Sequence, residues 1–101
     1  MKIAVTYENG QVFQHFGHTE QFKIYEAAEG KVVSARVVET GGSGHGALAG
    51  FLRGLGVDTL ICGGIGGGAR SALAEAGIQL YPGASGSADA QVEALLAGSL
   101  A

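Results

Sequence analysis

Basic residues are scarce in this chain. Six Lys and Arg stand against nine Asp and Glu, a formal net charge of −3. A duplex-binding face needs a basic stripe, so no nucleic-acid partner is expected. Cysteine is scarcer still. A lone Cys62 cannot form an internal disulfide, which fits a reducing compartment and a cytoplasmic location. Apolar runs are short. Met1 to Val5 is too brief for a signal peptide, and no stretch approaches the roughly 20 residues of a membrane-spanning helix. Hydrolytic signatures are also missing. No G-x-S-x-G elbow occurs, and the first strand, Ile3-Ala4-Val5-Thr6, offers no acid to a two-metal nuclease. Glu8 and Glu20 are the only carboxylates expected near a functional edge, and solvent suits them better than chemistry. An enzyme is not expected.

Glycine is abundant: 19 of 101 residues, against a usual share of about 7%. The glycines cluster without a repeat period, which excludes collagen-like and low-complexity chains. Hydrophobic residues make up 47%, enough for the core of one small domain over residues 1–101.

The periodicities predict an antiparallel meander followed by helices alternating with strands. Lys2 to Tyr7 reads as a strand, then Asn9-Gly10 marks a hairpin turn with Val12-Phe13 as a short continuation. Residues 15–18 interrupt as a loop. Strands follow over Gln21 to Ala27 and Lys31 to Thr40. Apolar residues Leu48, Phe51, Leu52 and Leu55 recur at helical spacing. Helices are expected at about 45–55, 67–76 and 88–97, with strands at Val57 to Ile61 and Ile78 to Tyr81 between them. The order βββαβαβα, with right-handed crossovers, predicts a mixed five-stranded α/β sheet of order 3-2-1-4-5 with three helices. Strands one, three, four and five then end at one edge. Ligands of open α/β sheets bind at such an edge.

The loops at that edge carry the distinctive residues. Leu60-Ile61-Cys62 runs into Gly63, Gly64, Gly66, Gly67 and Gly68, and a helix follows. Glycines leave backbone N–H groups open to a ligand, and a helix N-terminus adds partial positive charge. Together they read as an anion cradle, with Arg70 as a planar cationic fork behind it. The nucleotide motifs fit poorly. G-x-G-x-x-A is matched by Gly64 to Ala69, yet Leu80-Tyr81-Pro82 lacks the acidic ribose partner, and Ala69-Arg70 replaces the P-loop Lys-Ser/Thr. His15 and His18 form an H-x-x-H pair, and His45 and Cys62 extend it to four candidate ligands of mixed softness. Each has a plainer role: His15 bonding its own loop, His18 solvated, His45 capping a helix, Cys62 a small buried residue. His15, between Phe13 and Phe16, is the one whose setting favours function.

At these residues the chain resembles a known family, the dinitrogenase iron–molybdenum cofactor biosynthesis domain. The resemblance rests on His15-Phe16-Gly17, on Phe22-x-Ile24-Tyr25, and on Ile61-Cys62-Gly63-Gly64-Ile65-Gly66 leading to Ala69 and Gly77-Ile78. It implies a ribonuclease-H-like fold and a carrier or scaffold for metal–sulfur clusters. Members include carriers of nitrogenase cofactor assembly and an orange protein that holds a molybdenum–copper sulfide cluster without covalent ligands. The histidine of the His-Phe-Gly motif is implicated in cluster binding, a role that carries over to His15. His18 stands where the family often has arginine.

Two functions are therefore expected to compete. One is a binding module for an anionic metal–sulfur cluster, of the iron–molybdenum precursor or molybdenum–copper type, exchanging it with cluster-assembly or acceptor proteins. Its expected contacts are His15, Phe16, Gly17, Gly63, Gly64, Gly66, Gly67, Gly68 and Arg70. The other is a small phosphate- or nucleotide-binding enzyme or sensor using the same edge.

Overall fold

A computed structural model describes residues 1–41 and 45–99, with the backbone alone for 45 and 46. Among the described residues four strands come first and helices then alternate with two more strands: β1 Lys2–Glu8, β2 Gln11–Val12, β3 Gln21–Ala28, β4 Lys31–Glu39, α1 His45–Gly54, β5 Thr59–Ile61, α2 Gly67–Glu75, β6 Gln79–Tyr81 and α3 Ala88–Leu96. A single 3-10 turn, Phe16–His18, lies between β2 and β3.

The sheet runs β4-β3-β1-β5-β6, and β2 pairs with β1 alone. The expected count of five is thus corrected to six. The extra strand is the two-residue arm after Asn9-Gly10, where φ of 50° and 83° fits the mirror-image turn that matches strand twist. Counting it changes the order from the expected 3-2-1-4-5 to 4-3-1-5-6. β1 is antiparallel to β3 and parallel to β5, while β4 is antiparallel to β3 and β6 parallel to β5. Strands β1, β4, β5 and β6 consequently end at one edge.

Alternation along β1 feeds two cores, because helices cover both faces of the central strands. Ala4 joins Phe22, Ile24 and Leu60 beneath α1 and α2, against Leu48, Leu52 and Leu73. Ile3 and Val5 join Tyr25 and Ile61 on the other face, against Ala88 and Val92 of α3. Asp89 fastens α3 to β3: it accepts from Lys23 Nζ at 2.8 Å and from the Tyr25 hydroxyl at 2.5 Å. Those hydrogen bonds, Lys23 first, hold its carboxyl below the usual range.

All three helices stop by the same device. A left-handed glycine follows each, at Gly56, Gly77 and Gly98. The next amide then reaches back to an open carbonyl: Val57 to Leu52, Ile78 to Leu73 and Ser99 to Ala94, at 2.9–3.2 Å. The chain is thereby aimed directly into β5 after α1 and β6 after α2. Among the described residues no helix is long and apolar enough to cross a membrane.

Candidate functional site

Beyond β2 the chain runs beside the glycine-rich segment that leaves β5. Phe13 N–H donates to Thr6 O and Thr6 Oγ1 to Phe13 O, both at 2.8 Å, which keeps the chain on β1. Gly64 N–H then donates to Gln14 O at 2.7 Å, and Phe16 N–H donates to Gly64 O at 3.1 Å. His15 and Gly64 form a parallel bridge through these bonds. His15 and the glycine segment therefore share one end of the sheet.

Phe16 is the anchor of the His15 loop. Its ring is buried in the α1/α2 core, 6.3 Å from that of Phe22. A tight turn follows, with His18 N–H bonded to His15 O at 2.9 Å. Both imidazoles are left exposed, their centroids 6.4 Å apart and nearly perpendicular. Phe13 stands edge-on to His15 at 6.1 Å.

Gln14 was not singled out in the sequence, yet it clips three loops together. Its Nε2 donates to Val12 O and to Ala84 O, each at 3.1 Å. Its Cα and side chain pack directly on Gly63: a Cβ there would lie 2.7–2.8 Å from Gln14 atoms. On the far side, Gly83 N–H donates to Gly63 O and Ala84 N–H to Cys62 O.

The glycine segment ends at the start of α2. Gly66 is its N-cap and offers no side-chain acceptor, and the first turn carries no acid. The first amides of a helix have no partners within it, so this N-terminus presents open donors and positive potential. A cleft of about 470 Å³ lies between the two loops. His15, Phe16, Gly17 and His18 line one wall; Gly64, Ile65, Gly66, Gly68 and Ala69 line the other. Ile65 and Ala69 are additions to the expected set, an apolar pair hidden in the sequence by the glycines around them.

Four expected residues do not line the cleft. Gly63 is buried against Gln14, Gly67 is exposed beside the wall, and Arg70 is exposed beyond it on α2. Cys62 is the fourth. It is fully buried in the α1/α2 core with Leu60 and Phe16. Burial pushes its thiol up to about 11, against the opposing pull of Arg70, so it stays protonated at neutral pH. His15, His18 and Cys62 do not come together as ligands: among the described residues no three of His, Cys, Asp or Glu gather to hold a metal ion. His45 opens α1, and its side chain lies outside the described residues.

The glycines themselves need a different explanation from conformational freedom. None of Gly63, Gly64, Gly66, Gly67 or Gly68 has a positive φ. Gly63 is required by the close approach of Gln14, and Gly64 is tightly placed, with the Gln14 carbonyl 3.0 Å from a Cβ built on it. Around Gly66, Gly67 and Gly68 a Cβ would meet nothing within 4 Å. Neither backbone nor packing demands glycine there.

Residues 1–98 match the model of the family described as "dinitrogenase iron-molybdenum cofactor". The FeMo cofactor biosynthesis protein NifB of Sinorhizobium fredii is 40% identical over 87 residues, covering 78% of this chain but only 18% of that protein. An uncharacterised protein of Methanocaldococcus jannaschii is 32% identical, covering 99% of this chain and 89% of its own length. Among solved structures, PH0822 superposes with a TM-score of 0.94 at 27% identity, covering 100% and 93% of the two chains. The apo orange protein of Desulfovibrio gigas superposes with a TM-score of 0.88 at 29% identity, covering 99% and 90%.

Proposed function

We propose that this chain, which belongs to the dinitrogenase iron–molybdenum cofactor family, is a binding and carrier module for an anionic metal–sulfur cluster. The observation that carries this reading is the run of glycines at the α2 N-terminus. They face open space in a conformation any residue adopts. Their missing side chains leave room for something other than this chain to touch the backbone. Open amides and a helix N-terminus suit an anion. His15 and His18, on the opposite wall, suit soft metals as neutral imidazoles and sulfide or oxo groups as protonated donors. Ile65, Phe16 and Ala69 supply apolar contact.

Among the described residues no thiolate or carboxylate lines the cleft. A cluster held here keeps its own sulfide ligands, with His15 as the one strong candidate for a direct bond. The cluster is cargo, of the iron–molybdenum precursor or molybdenum–copper type, passed between assembly and acceptor proteins in the cytoplasm. Binding rather than catalysis suits walls built of backbone, imidazole and apolar groups. The relation to NifB, named for FeMo cofactor biosynthesis, supports the cargo. The likeness to the orange protein, solved in an apo form, supports a bound group. We read the sheet and its helices as ribonuclease-H-like.

Anaerobic reconstitution tests the proposal. Protein incubated with tetrathiomolybdate and copper(I), or with iron and sulfide, is expected to retain a visible absorption band through gel filtration. A colourless protein in every mixture, with a melting temperature raised by nucleotides or phosphate instead, would support the phosphate-binding alternative.

A further inference from the structure

The strand β4 is the least protected element of the fold. It lies at the sheet edge, pairs among the described residues only with β3, and is exposed at eight of its nine residues. Of the four exposed large hydrophobic residues described, three are on it: Val32, Val33 and Val37. The ladder slips between Glu26 and Ala27, so Val33 faces no residue of β3, and it is the most exposed of the three at 65%. Exposed apolar edges invite pairing with another strand, and proteins ordinarily blunt them.

The sequence of β4 is complementary to itself. It reads Lys31-Val32-Val33-Ser34-Ala35-Arg36-Val37-Val38-Glu39. Placed antiparallel to a copy of itself about a two-fold axis at Ala35, Lys31 falls opposite Glu39, Val32 opposite Val38, Val33 opposite Val37 and Ser34 opposite Arg36. Every valine then meets a valine, and the terminal charges meet their opposites. Moving the axis to Arg36 sets Arg36 against Arg36. Moving it to Ser34 sets Lys31 against Val37 and Arg36 against Val32. Only the Ala35 register matches charge with charge.

We infer that β4 pairs with β4 of a second copy, joining two sheets into one. Such an interface is isologous, so it closes at the dimer and uses up both long edges. Cross-strand pairs of valine and of opposite charge are the stabilising unit. The unpartnered Val33 gains its cover from Val37 of the second copy. β3 separates β4 from β1 and the His15 loop, so each dimer presents two open clefts. The pairing stands whatever the cleft binds.

Sedimentation equilibrium on the intact protein tests this, with circular dichroism to confirm folding. The parent is expected to dimerise reversibly at micromolar to millimolar concentration, and Val33→Lys with Val37→Lys to be monomeric. Lys31→Glu alone places like charges at both ends of the ladder and should weaken association by roughly tenfold. Adding Glu39→Lys exchanges the charges and should restore it. A parent that stays monomeric at millimolar concentration overturns the inference and leaves the edge to another kind of partner. A dimer indifferent to the lysine substitutions overturns it as well, and so does failure of the charge exchange to restore association.

Discussion

Gly63 and Gly68 lie five residues apart in one glycine-rich segment, and the structure gives them opposite responses to the same substitution. In Gly63→Ala the new methyl would lie 2.7 Å from Gln14 Oε1 and 2.8 Å from both Gln14 Cα and Cδ. The side-chain end could move, but Cα is backbone. It is fixed by the Gly64 N–H bond to Gln14 O and by the two bonds from Gln14 Nε2. Overpacking of this kind costs about 1–3 kcal/mol. Losing one of the Gln14 bonds adds about 1 kcal/mol, and the stiffer unfolded chain returns about 0.4–1 kcal/mol. The net is a destabilisation of about 1–3.5 kcal/mol, or a melting temperature lower by roughly 5–17 °C. In Gly68→Ala nothing lies within 4 Å of the methyl, and the residue sits in the first turn of α2. Stability there should rise by about 0.4–1 kcal/mol. The methyl does, however, enter the cleft wall, so cluster retention should fall. Urea titration of both variants, with reconstitution at matched temperature, separates the two effects. If Gly63→Ala is as stable as the parent, the account of Gln14 as a rigid clip is wrong. If Gly68→Ala retains the cluster like the parent, open space at α2 is not there for a ligand.

Three further outcomes are expected. His15→Ala removes an exposed group and should change stability by no more than about 0.5 kcal/mol while impairing cluster retention; His18→Ala should impair it less, and retention like the parent's in both variants would make the motif structural. Cys62 should resist iodoacetamide in the native protein and react on unfolding, as mass spectrometry can follow; native labelling at the rate of an exposed thiol would contradict its burial. The thiol also predicts a pH dependence. Its folded pKa, about 11, lies above the reference value of 9.0, so the unfolded chain loses this proton first. Stability from Cys62 is complete below about 9 and falls by about 3 kcal/mol as pH rises to about 11. Burial of the Tyr25 hydroxyl pushes its pKa up as well and acts in the same direction, so the informative comparison is with Cys62→Ala, whose alkaline loss should be smaller.

Much of the path to the site was legible because it is written in local chemistry. Asn9-Gly10 turns the chain, Gly56 and Gly77 end helices, and the alternation of elements sends four strands to one edge. His15 meets Gly64 there. What was not legible depends on long-range packing. The short strand after the turn was read at Val12-Phe13, but two residues have no period to fix its bounds, and β2 is Gln11–Val12. Gln14 is ordinary in sequence, and its importance comes from meeting Ala84, seventy positions away. Cys62 illustrates a different limit. Alternation assigns it to the face of Leu60, opposite Ile61, but β5 is buried on both faces. Parity therefore says which core receives the thiol and nothing about whether solvent or a ligand reaches it.

The same limit applies to the glycines. A cluster of five in sequence reads as one anion cradle, whereas the structure divides it in two. Gln14 leaves no room for a Cβ on Gly63 and little on Gly64, and this contact locks the His15 loop onto the end of β5. Gly66, Gly67 and Gly68 are glycine with room to spare, at the uncapped start of α2. The first pair fixes the distance between the two walls of the cleft. The second group leaves one wall bare. A cargo that brings its own ligands needs both features: walls that do not have to be ordered on binding, and backbone donors that its outer atoms can approach. Ordinary side chains at 66–68 would keep the fold and its rigidity while covering those donors. The separation of stability from retention therefore belongs to this second group, and the tight pair at Gly63 and Gly64 should lose stability first.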